Sequence, residues 1–220
     1  MISECREHGP FRGDSCPVCG AEGRLVLSDI ETDRLGRLMA AVLRHGKYGL
    51  EMSPDGYVSA DDIAAAARGG GRMGWLTGRH FLAIAATDPR GRYQVLGDRI
   101  RATYGHTIDV DLRLPSEGVP PILYYPVSEE EEATVLETGI MPTGRAKVHL
   151  SSTPDEAMAA GRVRLGGGKV LLLEIDPAAC AAAGFPVGKA SDTVCTCDRV
   201  PPECLKASDE GPSGNNEGTD

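Results

Sequence analysis

Apolar side chains recur at three- and four-residue steps after residue 29, which is the spacing of one face of an α-helix. Leu35 and Leu43 belong to this face, and Asp29 or Thr32 is the expected N-terminal cap. Gly46 is expected to end the helix, because glycine tolerates the left-handed backbone that follows a helical C-terminus. The pattern therefore predicts an amphipathic helix that buries one side.

Shorter segments with turn signals between them follow this helix. Glycine and proline mark turns at 53–56, 88–91 and 97–98. Helices followed by a short hairpin in about 85 residues predict a winged-helix lobe over residues 28–115. The predicted elements are short extended segments at 50–52 and 57–58, helices over 60–68 and 77–86, and strands over 92–96 and 100–104.

The second half of the chain mixes short strands with helices after a linker at 118–121. This mixture predicts a small α+β lobe over residues 119–206, so the whole chain is assigned to the α+β class. The tail 207–220 is acidic and poor in apolar residues, and is predicted to be disordered. The predicted elements are strands at 122–125, 147–150, 170–175 and 193–196, an acidic helix that Ser128 caps, and a helix at 154–161.

Charge and composition restrict the class of protein. The net charge is −9, which argues against a protein that coats nucleic acid or anionic membranes non-specifically. Residues 28–113 are the block that is not acidic. No apolar run reaches the roughly 18 residues of a membrane span, so we expect a soluble, cytoplasmic protein without a membrane partner. In that compartment the seven cysteines are expected to be thiols or metal ligands.

Two closely spaced pairs of sulfur and nitrogen ligands occur near the N-terminus. Each pair can form a tight turn that presents both side chains to one ion, and Gly20 permits the positive φ of the second turn. Residues 1–27 are therefore predicted to be a zinc-knuckle appendage. Whether the histidine is a ligand or stands beside a three-cysteine site is left open. The candidate ligands are Cys5, His8, Cys16 and Cys19.

Arginine and histidine recur at predicted helix ends and beside predicted strands. A cation at a helix C-terminus is common, because it interacts favourably with the helix dipole. Arginines gathered from several elements also suit a phosphate dianion, since the planar guanidinium meets two oxygens at once. The recurring positions are Arg44-His45, Arg92-Tyr93, Arg99-x-Arg101, Tyr104-Gly105-His106-Thr107 and Arg145-x-Lys147-Val148-His149.

These motifs resemble, in their order, those of the RNA 2′-phosphotransferases of the tRNA-splicing phosphotransferase class. The resemblance runs from about Leu35 to Leu205, and the zinc knuckle is similar to an appendage of archaeal-type members. Besides the positions above, its landmarks are Leu43-Arg44-His45, Gly49-Leu50, Gly56-Tyr57-Val58, Gly91-Arg92-Tyr93, Ile100-Arg101-Ala102, Pro121-Ile122-Leu123-Tyr124, Gly139-Ile140, Val148-His149-Leu150-Ser151, Ala160-Gly161-Arg162 and Val200-Pro201-Pro202-Glu203.

The resemblance implies a winged-helix lobe that holds RNA and a lobe related to ADP-ribosyltransferases that holds NAD. In that family an internal RNA 2′-phosphate attacks the anomeric carbon of the nicotinamide ribose and expels nicotinamide. The ribose 2″-hydroxyl then attacks the phosphate, which releases 2′-hydroxyl RNA and ADP-ribose 1″,2″-cyclic phosphate. We therefore expect NAD as co-substrate, structural zinc, a tRNA-like RNA partner and a monomeric enzyme.

The family's residue roles are carried over to matching positions. Arg145 is carried over as the third catalytic arginine, and the nearby Arg162 is the alternative for that position. The predicted catalytic residues are Arg44, His45, Arg92 and Arg145. The predicted NAD-binding residues are Tyr124, Tyr125, His149, Ser151 and Arg162. The predicted RNA-phosphate residues are Arg101 and His106.

One motif departs from the family pattern. Members usually read Tyr-His-Gly-Thr at the first strand of the NAD lobe, where this chain reads Tyr124-Tyr125-Pro126-Val127. Tyr125 still offers a hydroxyl, but Pro126 removes a backbone N–H. The departure concerns NAD binding rather than the phosphate site.

Two other functions remain open from the sequence. An ADP-ribosyltransferase that stops after the first step would leave ADP-ribose on a terminal phosphate of RNA or DNA. A protein of another class would keep the zinc knuckle and winged helix only to bind nucleic acid. NAD binding separates this last alternative from the other two.

Overall fold

The computed structural model describes residues 1–69, 73–166 and 168–208. The chain divides into two compact units, Met1–Arg113 and Leu114–Asp220. Helices and antiparallel strands occur in both units, which confirms the predicted α+β class. In the part of the chain described, no helix is long and apolar enough to cross a membrane.

The first unit begins with a three-stranded antiparallel sheet in the order β2-β1-β3. Ile2 and Leu27, from two of these strands, are fully buried in the same core as the helices that follow. The sequence pattern did not predict these strands, because each has only four residues and Gly9 and Pro10 interrupt the alternation. The strands are β1 (Ile2–Cys5), β2 (Gly9–Arg12) and β3 (Arg24–Leu27).

Three α-helices, one short 3-10 helix (Lys47–Gly49) and a second three-stranded sheet follow in the described part of this unit. Leu35, Met39 and Leu43 lie in one buried core with Ile63 and Phe81, which confirms the predicted apolar face. The sheet has the order β4-β6-β5. The elements are α1 (Asp29–His45), β4 (Val58–Ser59), α2 (Ala60–Arg68), α3 (Gly78–Ala86), β5 (Tyr93–Leu96) and β6 (Arg99–Ala102).

Two local predictions in this unit were wrong. Ser28, not Asp29 or Thr32, caps α1: its hydroxyl accepts from the N–H of Glu31, whose carboxylate accepts from the N–H of Ser28. This reciprocal pair satisfies two donors at the helix start. The segment 50–52 forms no strand, because pairing begins later, where Val58 lies opposite Ile100 of β6.

The second unit is built on a six-stranded antiparallel sheet in the order β10-β11-β8-β7-β9-β12. Leu123, Leu150 and Ile175 belong to one buried cluster, and Ala157 of α5 belongs to another with Leu172. The strands are β7 (Leu123–Val127), β8 (Val148–Ser151), β9 (Leu171–Ile175), β10 (Gly188–Lys189), β11 (Val194–Cys197) and β12 (Leu205–Ala207). The helices are α4 (Glu129–Thr138), α5 (Pro154–Leu165) and α6 (Pro177–Ala182).

The predicted strands and helices of this half are present, with ends displaced by at most four residues. Ser128 caps the acidic helix α4 as predicted. The short elements α6, β10 and β12 were not predicted. Ala207, assigned to the tail, pairs with Leu173 in the sheet, and residues 209–220 lie outside the described residues.

Two apolar side chains of α1 test where the core lies. Leu35 is 1% exposed and Ile30 is 82% exposed. Leu35→Ala is expected to lower the free energy of unfolding by about 2–5 kcal/mol, because it removes buried methyl groups and leaves a cavity. Ile30→Ala is expected to change it by less than about 0.5 kcal/mol. Urea unfolding measures both, and equal effects would contradict the assigned face.

Candidate functional site

The two predicted ligand pairs form one compact cluster. The ligand atoms of Cys5, His8, Cys16 and Cys19 all lie within 4.8 Å of one another. Cys5 Sγ is 3.5 Å from His8 Nδ1 and 3.8 Å from Cys19 Sγ. Two sulfurs bound about 2.3 Å from a tetrahedral zinc ion are about 3.8 Å apart. The cluster therefore has the dimensions of a tetrahedral metal site, and it includes His8.

Backbone N–H groups around the cluster stabilise the thiolates of Cys5 and Cys16. The N–H groups of Glu7 and His8 donate to the sulfur of Cys5 and lower its pKa. The N–H of Cys19 contributes most to lowering the pKa of Cys16. Gly20 has φ +72° and donates its N–H to the carbonyl of Cys16, so the turn has the positive φ that the sequence predicted. Thiolates are the form in which cysteines bind metals.

The end of α1 presents Arg44 beneath the segment 104–107. The guanidinium lies 5.0 Å from the centre of the Tyr104 ring. Gly105 has φ +85°, and a Cβ there would stand 3.2 Å from the Arg44 guanidinium, so glycine permits this close approach. Nε and Nη2 of Arg44 are buried and have no hydrogen-bond partner among the described residues. Buried donors without an acceptor lower the stability of a folded protein unless a ligand or a water molecule accepts from them.

Backbone hydrogen bonds fasten this segment to the helix end. The N–H of Thr107 donates to the carbonyl of Arg44 over 2.9 Å. The Thr107 hydroxyl lies 2.9 Å from Nδ1 of the exposed His45 ring. Arg44 and His45 therefore share one anchoring residue, although 62 positions separate His45 from Thr107.

His106 is buried beside the cations. It is 5% exposed, and its Nε2 has no partner within the described residues. Burial lowers the pKa of His106 to about 4, and the charges of Arg44, Arg101 and His45 act in the same direction. The ring is therefore uncharged at neutral pH, and can meet an RNA phosphate only through hydrogen bonds.

Arg92 is held by a carboxylate that sequence reasoning missed. The Asp88 side chain is 1% exposed, and it accepts from Nε of Arg92 over 3.0 and 3.1 Å and from Nη2 over 2.5 Å. It also accepts from the backbone N–H of Arg92 over 2.8 Å. Burial acts to raise the pKa of Asp88, but the bonds to Arg92 outweigh it and leave this pKa lowered. An aspartate four positions before a candidate catalytic arginine was the available signal.

Arg101 is already engaged by protein acceptors. Its Nε and Nη2 donate to the Gln94 side-chain oxygen over 2.8 and 2.7 Å, and Nη1 donates to the carbonyl of Asp55. The guanidinium also lies 4.8 Å from the centre of the Tyr57 ring. Arg101 is therefore placed to act on an anion through its positive charge rather than through guanidinium N–H groups that lack a protein acceptor.

In the second unit three predicted NAD-binding side chains share one face of the sheet. Tyr124 lies opposite Ser151 in the single register pair recorded between β7 and β8, and cross-strand partners point to the same side. His149 precedes Ser151 by two positions and shares its face. Tyr125 points to the other face, where it packs against the Leu123 cluster. The structure therefore separates the two neighbouring tyrosines.

The remaining predicted residues of this unit are exposed. Arg145 lies in the segment between Ile140 and β8, and Arg162 lies in the last turns of α5. Arg164, which sequence reasoning missed, donates to the carbonyl of Pro126 over 2.7 Å and pairs with Glu131. Arg164 therefore ties α5 to β7 and α4, whereas Arg145 and Arg162 present their side chains to solvent.

A model of the RNA 2′-phosphotransferase, Tpt1 / KptA family matches residues 31–199. The chain belongs to this family. The match begins inside α1 and ends just after β11, so it includes both units and agrees with the resemblance predicted from the motifs.

Curated members of the RNA 2′-phosphotransferase family align with most of the chain. Proteins of Thermoplasma volcanium and Thermoplasma acidophilum, both named Probable RNA 2′-phosphotransferase, are 38% and 39% identical, over 90% of this chain and 85% of each relative. A protein of Archaeoglobus fulgidus, named Probable RNA 2′-phosphotransferase 1, is 36% identical over 93% of this chain and 94% of its own length. These names describe transferases, which confirms the predicted enzyme class.

The metal cluster leads to a stoichiometry prediction. We expect one metal ion per chain by elemental analysis, and Cys16→Ser is expected to lose the ion and to lower the melting temperature, because metal binding contributes to folding. Cys204→Ala, at a buried cysteine of the second unit, is the control and should retain the ion. Metal-free wild type with native stability would contradict the assignment.

The burial of His106 predicts a pH-dependent stability. Below about pH 6.5 the unfolded chain protonates this histidine, whereas the folded chain does so only near a pKa of about 4. Its contribution to stability is therefore complete above pH 6.5 and is lost as the pH falls towards 4. Between pH 7 and pH 5, His106→Asn should lose about 1–2 kcal/mol less unfolding free energy than wild type. Parallel curves from denaturant titrations would contradict this.

Proposed function

We propose that this protein removes an internal 2′-phosphate from RNA by transferring it to NAD. A phosphate oxygen bonds to the anomeric carbon of the nicotinamide ribose as the bond to nicotinamide breaks. The ribose 2″-hydroxyl then bonds to phosphorus as the bond to the RNA 2′-oxygen breaks. The products are nicotinamide, 2′-hydroxyl RNA and ADP-ribose 1″,2″-cyclic phosphate. Family membership supports the phosphotransferase activity, and the sequence resemblance supports this route.

One observation carries the phosphate assignment: two nitrogen atoms of the Arg44 guanidinium are buried without a partner among the described residues. A phosphate dianion accepts several charge-assisted hydrogen bonds, and arginine binds it in a planar, two-point geometry. The glycine at position 105 lets the 104–107 segment pack closely against this guanidinium. We therefore assign Arg44 to the RNA 2′-phosphate.

Arg92 and His45 are assigned to the same phosphate. Asp88 binds the Nε and Nη2 edge of Arg92, and we assign the Nη1 edge to substrate. Positive charge here offsets the repulsion between the RNA phosphate and the NAD pyrophosphate. Thr107 holds Nδ1 of His45, so we assign Nε2 to the RNA 2′-oxygen. An imidazole N–H can donate a hydrogen bond or a proton to an oxygen within reach, which suits the leaving oxygen of the second step.

The second unit is assigned to NAD. Tyr124, His149 and Ser151 lie on the same sheet face beside the place where β7 and β8 cease to pair. Pro126 would stand opposite His149 in that register, and it has no N–H to donate. We therefore assign ribose and pyrophosphate contacts to side chains rather than to the strand backbone. The residues proposed for this role are Tyr124, His149, Ser151 and Arg162, and Arg145 is proposed as a catalytic residue. Tyr125, to which the resemblance also assigns an NAD contact, packs on the other face of the sheet.

The cysteine and histidine cluster fits zinc. Three sulfurs and one imidazole nitrogen are ligands that zinc accepts, and four protein ligands leave no open position for substrate. We therefore assign the ion a structural role. The winged-helix assignment is supported by the order α1, β4, α2, α3, β5, β6 in the first unit. We propose a tRNA-like RNA partner and a cytoplasmic, monomeric enzyme.

Product analysis tests this function. Wild-type protein is incubated with NAD and an oligoribonucleotide that bears one internal 2′-phosphate, and the products are identified by mass spectrometry. We expect 2′-hydroxyl RNA, nicotinamide and the cyclic phosphate. Arg44→Ala and Arg92→Ala should each slow turnover by about 100-fold or more, because they remove charge that stabilises the transition state.

Arg37→Ala is the matched control, since Arg37 is an exposed arginine of α1 paired with Asp33, and it should retain wild-type turnover. A stable ADP-ribosylated nucleic acid in place of the cyclic phosphate would instead identify the capping reaction. Folded protein that binds no NAD and leaves the 2′-phosphate on the RNA would overturn the proposal.

A further inference from the structure

The turn between α3 and β5 connects the metal knuckle to Arg92. Thr87 ends α3, and its hydroxyl donates to the carbonyl of Ala83 over 2.7 Å. Asp88 follows directly, and its carbonyl accepts from the N–H of Gly91 over 3.2 Å. Gly91 has φ +58°, a conformation that glycine adopts without strain. The turn therefore brings the Asp88 carboxylate back onto Arg92.

The Asp88 carboxylate orients the side chain of Arg92. Three of its contacts go to the guanidinium nitrogens Nε and Nη2, and one goes to the backbone N–H of Arg92. With only 1% of the Asp88 side chain exposed, water competes poorly for these bonds. Arg92 itself remains 34% exposed, so one side is bound and another can meet a ligand. Several hydrogen bonds to one buried carboxylate restrict the orientations that the guanidinium can take.

The knuckle contacts the same turn from the other side. Arg12, the last residue of β2, donates through Nε to the carbonyl of Thr87 over 2.6 Å. Its positive charge also acts to lower the pKa of Asp88. Arg12 lies between the ligands His8 and Cys16 in the chain, so the fold of the knuckle determines where this guanidinium stands.

We propose that Asp88 is a positioning residue for Arg92, and that the metal knuckle supports this role through the contact of Arg12 with the Thr87–Asp88 turn. This inference rests on the proposed function, because it assigns Arg92 to the RNA 2′-phosphate. The knuckle then contributes to phosphate recognition without touching the substrate.

Positioning and simple electrostatics predict opposite effects of Asp88→Asn on phosphate binding, which makes the proposal testable. Asp88→Asn removes a negative charge near a phosphate, and charge alone would strengthen phosphate binding. Loss of the carboxylate also frees the guanidinium to adopt other rotamers, and a misplaced arginine binds phosphate less well. A weaker phosphate contact in Asp88→Asn therefore separates positioning from electrostatics.

The measurement is equilibrium binding without NAD. Fluorescence anisotropy gives the dissociation constants of one oligoribonucleotide with an internal 2′-phosphate and of the same oligoribonucleotide with a 2′-hydroxyl. Their ratio isolates the phosphate contact. Asp88→Asn should reduce the wild-type ratio about tenfold, and Arg12→Ala should reduce it about two- to threefold. Asp88→Glu, which keeps the carboxylate, should recover part of the loss.

Matched controls come from the same structure. Asp33→Asn breaks an exposed Asp–Arg pair of the same spacing on α1, and Arg24→Ala removes an exposed knuckle arginine that contacts Glu4. Both should keep the wild-type ratio. In an Arg92→Ala background, Asp88→Asn should produce no further reduction, because the side chain that it positions is absent.

The outcomes are distinct. An unchanged or increased ratio in Asp88→Asn, or an equal reduction with and without Arg92, overturns the positioning role. An unchanged ratio in Arg12→Ala overturns the contribution of the knuckle. If Asp88→Asn does not fold by circular dichroism, Asp88→Glu takes its place, with a shifted ratio expected and a wild-type ratio contradicting. A wild-type protein with no preference for the 2′-phosphate refutes the proposed function itself.

Discussion

The C-terminal end of α1 is the constraint on which the first unit depends. A helix ends with backbone carbonyls that lack partners, and their partial negative charge favours nearby cations. Here the carbonyl of Arg44 accepts from the N–H of Thr107, and Gly46 turns the chain away with φ +60°. This hydrogen bond therefore gives one of these carbonyls a partner and fastens the segment that covers the guanidinium. The same hydrogen bond that pairs a terminal carbonyl of α1 therefore also fixes the positions of Arg44 and His45.

Cationic side chains that lie close together repel one another, and three features of the first unit reduce this repulsion. Asp88 neutralises Arg92 by direct contact. His106 remains uncharged, since burial and its cationic neighbours lower its pKa to about 4. Arg101 spreads its hydrogen bonds over Gln94 and a backbone carbonyl. Within the described part of the first unit, two buried nitrogens of the Arg44 guanidinium have no hydrogen-bond partner. A chain of charge −9 can therefore still hold a local group of cationic side chains.

Parts of this arrangement could be read from the sequence, and parts depend on tertiary geometry. The periodicity of α1 predicted its buried face, and ligand spacing predicted the metal cluster, because both signals are local. Whether His8 joined the cluster required the fold. Asp88 was missed because its role depends on how the turn folds back. The opposite faces of Tyr124 and Tyr125 follow from strand alternation, so this separation was available from the sequence once β7 was predicted.

The burial of Ile2 and Leu27 beside α1 changes what the N-terminal segment is. The sequence predicts residues 1–27 to be an appendage, yet these two side chains are fully buried in the core that contains Leu35 and Phe81. A chain shortened to begin at residue 28 would leave two apolar vacancies beside α1 and expose the surface that they cover. The segment is therefore inseparable from the unit that it precedes, and its gain or loss in a lineage would require the core around α1 to be refilled.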